Sequence, residues 1–70
     1  MLQADSARVG WDPKKKRWHV DIQVGEEVIK RPCHNGGADT SEDALREMAV
    51  RTARDEGYDL DAARVVVTRG

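Results

Sequence analysis

Polar and apolar residues alternate strictly over the segment from Arg17 to Val24. This period of two is typical of a β-strand with one buried face and one exposed face. The apolar residues expected to face the core are Trp18, Val20, Ile22 and Val24. Their polar neighbours, which then face the opposite way, are Arg17, His19, Asp21 and Gln23. The pattern therefore predicts a half-buried strand with a polar outer face.

Shorter patterns on both sides of this segment predict two more strands. Apolar and polar residues alternate from residue 7 to residue 11, and "DPKKK" then supplies a turn in which proline fixes φ. After the central strand, "GE" predicts a two-residue turn into a third strand over residues 27–31. Pro32 is expected to end that strand, because proline cannot donate to the ladder. The register of the third strand stays open, since Val28 and Ile29 are adjacent and only one of them can face the core.

A loop and a helix follow the predicted strands. The segment "PCHNGGAD" over residues 32–39 has the proline, asparagine and glycine content of an irregular loop. Thr40 is a suitable N-cap with Asp43 three residues later, and Gly57 is a natural helix stop. The apolar stripe of this helix is formed by Leu45, Met48, Ala49 and Thr52, joined by Ala44 and Ala53.

The last segment, over residues 63–70, predicts a fourth strand with Val65 and Val67 on one face and Val66 and Thr68 on the other. The element order is then β-β-β-α-β. This order predicts an α+β fold in which a three-stranded antiparallel meander packs on one helix and a C-terminal fourth strand joins an edge. We expect residues 1–70 to form a single small domain with a core of about residues 7–69.

Composition limits what such a domain can do. At 70 residues with three aromatic side chains, the core must be small, and a deep enzyme pocket is not expected. The net charge of -1 conceals an asymmetry. Residues 1–34 carry seven basic and five acidic residues, a net +2, whereas residues 35–70 carry five basic and eight acidic residues, a net -3. If the halves occupy different faces, the molecule has a positive and a negative side.

Cysteine content and hydropathy indicate an intracellular setting. Cys33 is the only cysteine, so it cannot form an internal disulfide, and a reducing compartment is expected. The compartment would be nuclear in a eukaryote and cytoplasmic in a bacterium. The longest purely aliphatic β-branched run, Val65–Val67, is far shorter than the stretch of about 20 apolar residues that a spanning helix needs. We therefore expect no membrane association.

Two short motifs are candidate chemical sites. Cys33 and His34 lie side by side, but a zinc site needs four ligands, and His19 is the only other histidine. "HNGGAD" before the helix has glycines that permit close approach of a phosphate, yet it lacks the lysine of a phosphate loop and is followed by acidic residues. We therefore expect no metal, no cofactor, no evident small-molecule substrate and no enzymatic activity.

The basic run "PKKKR" and the outer face of the sheet are the remaining candidates. The run resembles the core of a short nuclear-import signal, but such signals are read in extended form, whereas this one should be bent in a hairpin. The alternative is a solvated turn that keeps a sheet edge soluble. Together with the outward strand positions the run also makes a surface that can reach phosphates and base edges in a major groove. The residues assigned to this DNA-binding surface are Arg8, Lys14, Lys15, Lys16, Arg17, His19, Asp21, Gln23, Lys30 and Arg31.

Over about residues 8–58 the chain resembles the APETALA-type (ethylene-response-factor) DNA-binding domain. The resemblance is carried by "VGWDPKKKRW" (9–18), "WHVDI" (18–22) and "TSEDALREMAV" (40–50). It implies three antiparallel strands lying in the major groove, a helix packed behind them, and a role in transcription regulation. It also implies that Asp21 takes the place of the acidic residue in the family's "E-I-R" and Gln23 that of its arginine. The helix start is also similar to those of phage-integrase arm-binding domains and HicB-like antitoxins.

Two non-enzymatic functions follow from these observations. The first is a small duplex-DNA-binding domain that uses the open sheet face and the basic hairpin turn. The alternative is a protein-interaction module, HicB-like or homodimerising, in which the open face or an edge strand docks to a partner protein or to a second copy.

Overall fold

A computed structural model describes residues 2–33 and 37–68 and confirms the α+β fold. The described residues form one α-helix and six strands, of which two have only two residues each. In chain order the elements are β1 (Leu2–Gln3), β2 (Ser6–Asp12), β3 (Arg17–Val24), β4 (Glu27–Cys33), α1 (Glu42–Asp55), β5 (Tyr58–Asp59), a 3-10 helix (Ala62–Arg64) and β6 (Val65–Thr68).

The main sheet has four strands in the order β4-β3-β2-β6. Strands β2, β3 and β4 form the predicted antiparallel meander. The C-terminal strand joins an edge of that meander as expected, and it lies parallel to β2. Two short strands that the sequence analysis did not predict, β1 and β5, pair in parallel as a separate ribbon.

The core lies between one face of this sheet and α1. Trp18, Val20 and Ile22 of β3 are almost fully buried, as the alternation predicts. They form one cluster with the helix residues Leu45 and Ala49. Other buried members are Ala4, Ala7, Val9, Cys33, Ala53, Leu60 and Val65, with Met48 partly buried against them. The predicted stripe of the helix is therefore the face that packs on the sheet.

The register of β4 resolves the choice between its two apolar residues. Ile29 lies opposite Ile22 and packs against the core, whereas Val28 lies opposite Gln23 and is 48% exposed. The prediction that Pro32 ends this strand is wrong, because β4 continues through Pro32 to Cys33. Proline is tolerated there since β4 is an edge strand, where a missing N–H donor need not break the ladder.

The ends of α1 are defined by a hydroxyl cap and a glycine. The predicted N-cap, Thr40, is wrong by one residue: Ser41 is the N-cap, and its side chain accepts a hydrogen bond from the backbone N–H of Ala44. Thr40 instead donates its hydroxyl to the carbonyl of Gly37, at 2.7 Å. At the other end, Gly57 has a φ of 91°, which confirms it as the left-handed residue that follows the helix.

Trp18 links the sheet to the loop before α1. Its indole Nε1 donates to the carbonyl oxygen of Gly37 at 2.8 Å, and that oxygen also accepts from Thr40. Its ring meets that of Trp11 edge to face, with ring centroids 5.1 Å apart. The predicted loop is thus held against the core at its second half, while His34, Asn35 and Gly36 lie outside the described residues.

Candidate nucleic-acid interface

The face of the sheet opposite α1 carries the polar residues of the alternation. Cross-strand register groups them in rows, because directly opposed residues share a face. Arg8 lies opposite Asp21, which in turn lies opposite Lys30. The next row toward the β2–β3 turn contains Gly10, His19 and Pro32. We call this surface the open face.

His19 lies across Gly10 on the open face. A Cβ atom placed on Gly10 would be 2.8 Å from both Cε1 and Nε2 of the His19 imidazole, closer than real Cβ contacts allow. The ring therefore occupies the space that a side chain at position 10 would fill. Gly10 was not singled out by the sequence analysis, and its only signal was a glycine within an alternating strand, which often marks a close approach.

The β2–β3 hairpin ends in the basic turn. Its last pair is Asp12 with Arg17. Among the described residues, the last pair between β3 and β4 is Trp18 with Cys33, and the last pair between β2 and β6 is Gly10 with Thr68. We call residues 12–17 the basic tip.

Asp12 organises the backbone of the basic tip. Its Oδ1 accepts hydrogen bonds from the backbone N–H groups of Lys14, at 3.0 Å, and Lys15, at 3.2 Å. The bond from Lys15 above all, with that from Lys14 and the nearby cations, holds the pKa of the Asp12 carboxyl below its ordinary value. Lys16 closes the turn in the left-handed conformation, with a φ of 52°. The three lysine side chains are left exposed to solvent.

Below the basic tip, the open face has a hollow of about 260 Å³. We call it the basic hollow. Its lining residues are Asp12, Lys15, Arg17, His19, Asp21, Lys30, Arg31 and Pro32. Four cations and a histidine thus surround two carboxylates. Among the described residues, neither Lys15, Arg17 nor Lys30 forms an ion pair, so these cations remain available to an anion.

Arg31 occupies a different position from the other cations. In register it lies opposite Val20, on the helix side of β4, and its side chain pairs with Glu56 at the end of α1. It borders the basic hollow from the sheet edge rather than from the open face. Because this ion pair already uses the guanidinium, Arg31 is less available to a ligand than Lys30.

Two predicted site residues lie away from the basic hollow. Arg8 and Gln23 line a second hollow of about 250 Å³ farther from the basic tip, together with Ser6, Ala7, Asp21, Val28 and Val66. The Gln23 amide donates to the carbonyl of Gly25. The structure therefore brings together Lys15, Arg17, His19, Asp21, Lys30 and Arg31 and leaves Lys14 and Lys16 on the tip outside the hollow. Arg8 and Gln23 lie in the neighbouring hollow, which shares Asp21 with the basic hollow.

Cys33 lies on the opposite side of the sheet and is buried. Burial raises the pKa of its thiol, and its Sγ lies 4.0 Å from the hydroxyl of Thr52. No group of three metal-ligating side chains occurs among residues 2–33 and 37–68, and His34 lies outside them. Cys33 is thus a small core residue within the described structure.

The fold and this surface define the class of the protein as a small α+β domain with one covered and one open sheet face. Comparisons with protein families, curated proteins and solved structures gave no match to the chain. No helix in the described part of the chain is long and apolar enough to cross a bilayer.

Proposed function

We propose that this domain binds duplex DNA through the basic tip and the basic hollow. The observation that carries the proposal is a group of cations on the basic tip and around the basic hollow, Lys14, Lys15, Lys16, Arg17 and Lys30, which form no ion pair among the described residues. Closely spaced lysine and arginine side chains of this kind supply the sequence-independent attraction to phosphates that dominates DNA affinity.

The shape of the basic tip supports this proposal. Paired strands lie about 4.8 Å apart, and the major groove of B-DNA is about 12 Å wide, so a two-stranded ribbon fits where a four-stranded sheet would not. The basic tip is a two-stranded hairpin closed by the pair of Asp12 with Arg17, so it is narrow enough to enter the groove. The flanking strands β4 and β6 would then rest against the sugar-phosphate ridges.

Charge along the strands supports an approach with the tip first. The opposite end of the meander carries Asp5, whose carboxylate accepts from the backbone N–H of Gly25, and the exposed residues Glu26 and Glu27. A polyanion repels that end and attracts the basic tip. The electrostatic field of the domain thus favours one orientation on DNA.

The proposal gives the cations two roles. Lys14, Lys15 and Lys16 protrude from a turn and can meet phosphates from many directions, so they provide affinity without sequence preference. Arg17 and His19 project from a strand at fixed spacing, so they are placed to address base edges. Arg8 and Gln23 lie farther from the tip. We expect them to contact the DNA backbone or not to contact the DNA, so neither residue contributes to sequence preference.

The first experiment measures affinity for a mixed-sequence duplex by fluorescence anisotropy over a series of salt concentrations. Replacing all three lysines by alanine should weaken binding and reduce the slope of log K against log salt by about 2 to 3, since each phosphate contact contributes about 0.9. The matched control is Arg51→Ala, Arg54→Ala and Arg64→Ala, which changes the net charge equally on exposed positions away from the open face. The control should retain the parental slope.

A second experiment tests discrimination with a duplex selected from a random library and a scrambled duplex. Arg17→Ala should reduce the preference for the selected duplex by about 1 to 3 kcal/mol, the contribution of one good bidentate contact. Gln23→Ala serves as its control and should preserve the preference. If the parent domain binds neither duplex at low salt, the proposal is overturned and the protein-interaction alternative replaces it.

A further inference from the structure

The two outer strands of the main sheet differ in whether they carry residues that discourage pairing with another strand. The outer strand β4 contains Glu27, Lys30, Arg31 and a proline, all of which discourage another strand from pairing. The other outer strand, β6, has the sequence "VVVT", with no charge and no proline. Its outward valine, Val66, is 57% exposed. Apart from its short length of four residues, the β6 edge therefore lacks the features that usually protect an edge strand.

We propose that two copies of this chain join through this edge, with β6 of one copy antiparallel to β6 of the other. The inference goes beyond DNA binding and does not depend on it. The backbone N–H and C=O groups along the outer side of β6 can pair with another extended strand, which is the first reason to expect a β-strand as the occupant. Joining two sheets of four strands would form one continuous eight-stranded sheet.

The sequence of β6 suits a second copy. A two-fold axis at Val66 places that valine opposite its own counterpart and Val65 opposite Val67. It also places Arg64 opposite Thr68, so no like charges face each other across the strand pair. Self-complementarity of this kind is what an isologous dimer interface requires.

A groove beside the same edge supplies the charge complementarity. One flank of α1 faces β4, because Thr52 lies beside Cys33 and Glu56 pairs with Arg31. The opposite flank of α1 faces the 3-10 helix that leads into β6. This flank and the 3-10 helix enclose a groove of about 390 Å³. Its apolar lining is Val50, Ala62 and Ala63, and its charged lining is Asp43, Arg46 and Glu47.

Arg46 has unsatisfied hydrogen-bonding capacity in this groove. Its Nη2 lies 3.8 Å from Glu42, but its Nε is buried without a hydrogen-bond partner among the described residues. In the joined sheet the two α1 helices lie antiparallel on the same side. This arrangement brings Arg46 of each copy toward Asp43 or Glu47 of the other, which gives the guanidinium a carboxylate.

The test is sedimentation equilibrium of the isolated domain without DNA, over a concentration series. The parent chain should show a reversible change from 7.8 kDa to twice that mass. Val66→Lys should raise the dimer Kd by about tenfold or more, since two lysines would then face each other on the edge. The matched control, Val28→Lys, adds the same charge to an exposed valine on the opposite edge and should leave the Kd unchanged.

Two further variants make the result specific. Val66→Glu alone should be monomeric, and mixing it with Val66→Lys should restore the double mass, because opposite charges then face each other across the two-fold axis. Arg46→Glu should weaken the dimer, whereas Arg51→Glu should not. A parent chain that stays at 7.8 kDa at high concentration overturns the proposal, as does equal weakening by Val66→Lys and Val28→Lys. Thermal melting of each variant verifies that the fold is retained.

Discussion

Replacing Trp18 by alanine should unfold the domain. The side chain is 1% exposed, contacts Trp11 edge to face and donates to the carbonyl of Gly37. Truncating a buried tryptophan generally costs about 3 to 5 kcal/mol, and the aromatic pair contributes about 0.5 to 1.5 kcal/mol. A domain of this size has a stability of only about 3 to 5 kcal/mol without disulfides. The loss is therefore comparable to the whole stability.

A milder substitution separates the packing of Trp18 from its hydrogen bond. Trp18→Phe keeps most of the buried ring area and removes the indole donor, while the Gly37 oxygen still accepts from Thr40. Since that acceptor is not left unsatisfied, we expect a cost of about 1 to 2 kcal/mol. This loss corresponds to a melting temperature lower by about 5 to 15 °C for a domain of this length.

The assay is thermal and urea unfolding followed by far-ultraviolet circular dichroism. Trp11→Ala provides the comparison, because Trp11 is only partly buried but belongs to the same aromatic pair. It should cost less than Trp18→Ala. A soluble Trp18→Ala protein that melts cooperatively at the parental midpoint would refute the reasoning, and so would a larger loss from Trp11→Ala.

Three further predictions concern the turn and the cysteine. Lys16→Gly should raise stability by up to about 1 kcal/mol in thermal melts, because the left-handed φ of Lys16 favours glycine, whereas Lys15→Gly should not. The lowered pKa of Asp12 means that its ionised form stabilises the fold above the ordinary value of 3.8, and that this contribution is lost as the pH falls through the lower folded-state pKa. Asp12→Ala should therefore flatten the acid limb of a stability-against-pH curve. Cys33 should react with iodoacetamide at pH 8 far more slowly in the native protein than in the urea-unfolded protein, because it is buried. Its role as a core residue would be contradicted by a melting temperature that shifts several degrees when zinc or a chelator is added.

The sequence was sufficient to predict the meander and its buried face. The alternation of polar and apolar residues in β3 predicted the central strand of the meander and also its buried face, because a period of two fixes which residues share a face. The pattern of β6 is different, since "VVVT" fits a parallel or an antiparallel neighbour equally well. Its direction depends on how α1 crosses the sheet, which is tertiary information. The ribbon of β1 and β5 has two residues on each strand, too few to show any period.

The candidate site was predictable in part for similar reasons. The basic tip follows from "DPKKK", whose aspartate and proline indicate a turn. The basic hollow depends on the β4 register, which places Lys30 on the open face and Arg31 beside Glu56, and adjacent apolar residues left that register undecided. The N-cap was misassigned because Thr40 and Ser41 are both good caps, and the Gly37 carbonyl engages Thr40.

The parallel pairing of β2 with β6 has a consequence for synthesis of the chain. Ribosomes deliver residues in order, so the residues of β2, β3 and β4 leave the ribosome before those of β6. The central strand β2 must wait for Val65–Thr68 before its second side is covered, and this contact closes almost the full length of the chain. Until those residues emerge, a nascent chain presents β2, a strand with a fully buried valine, as its outer edge. A chain truncated before residue 65 would thus hold a sheet whose β2 edge is open to pairing with neighbouring chains.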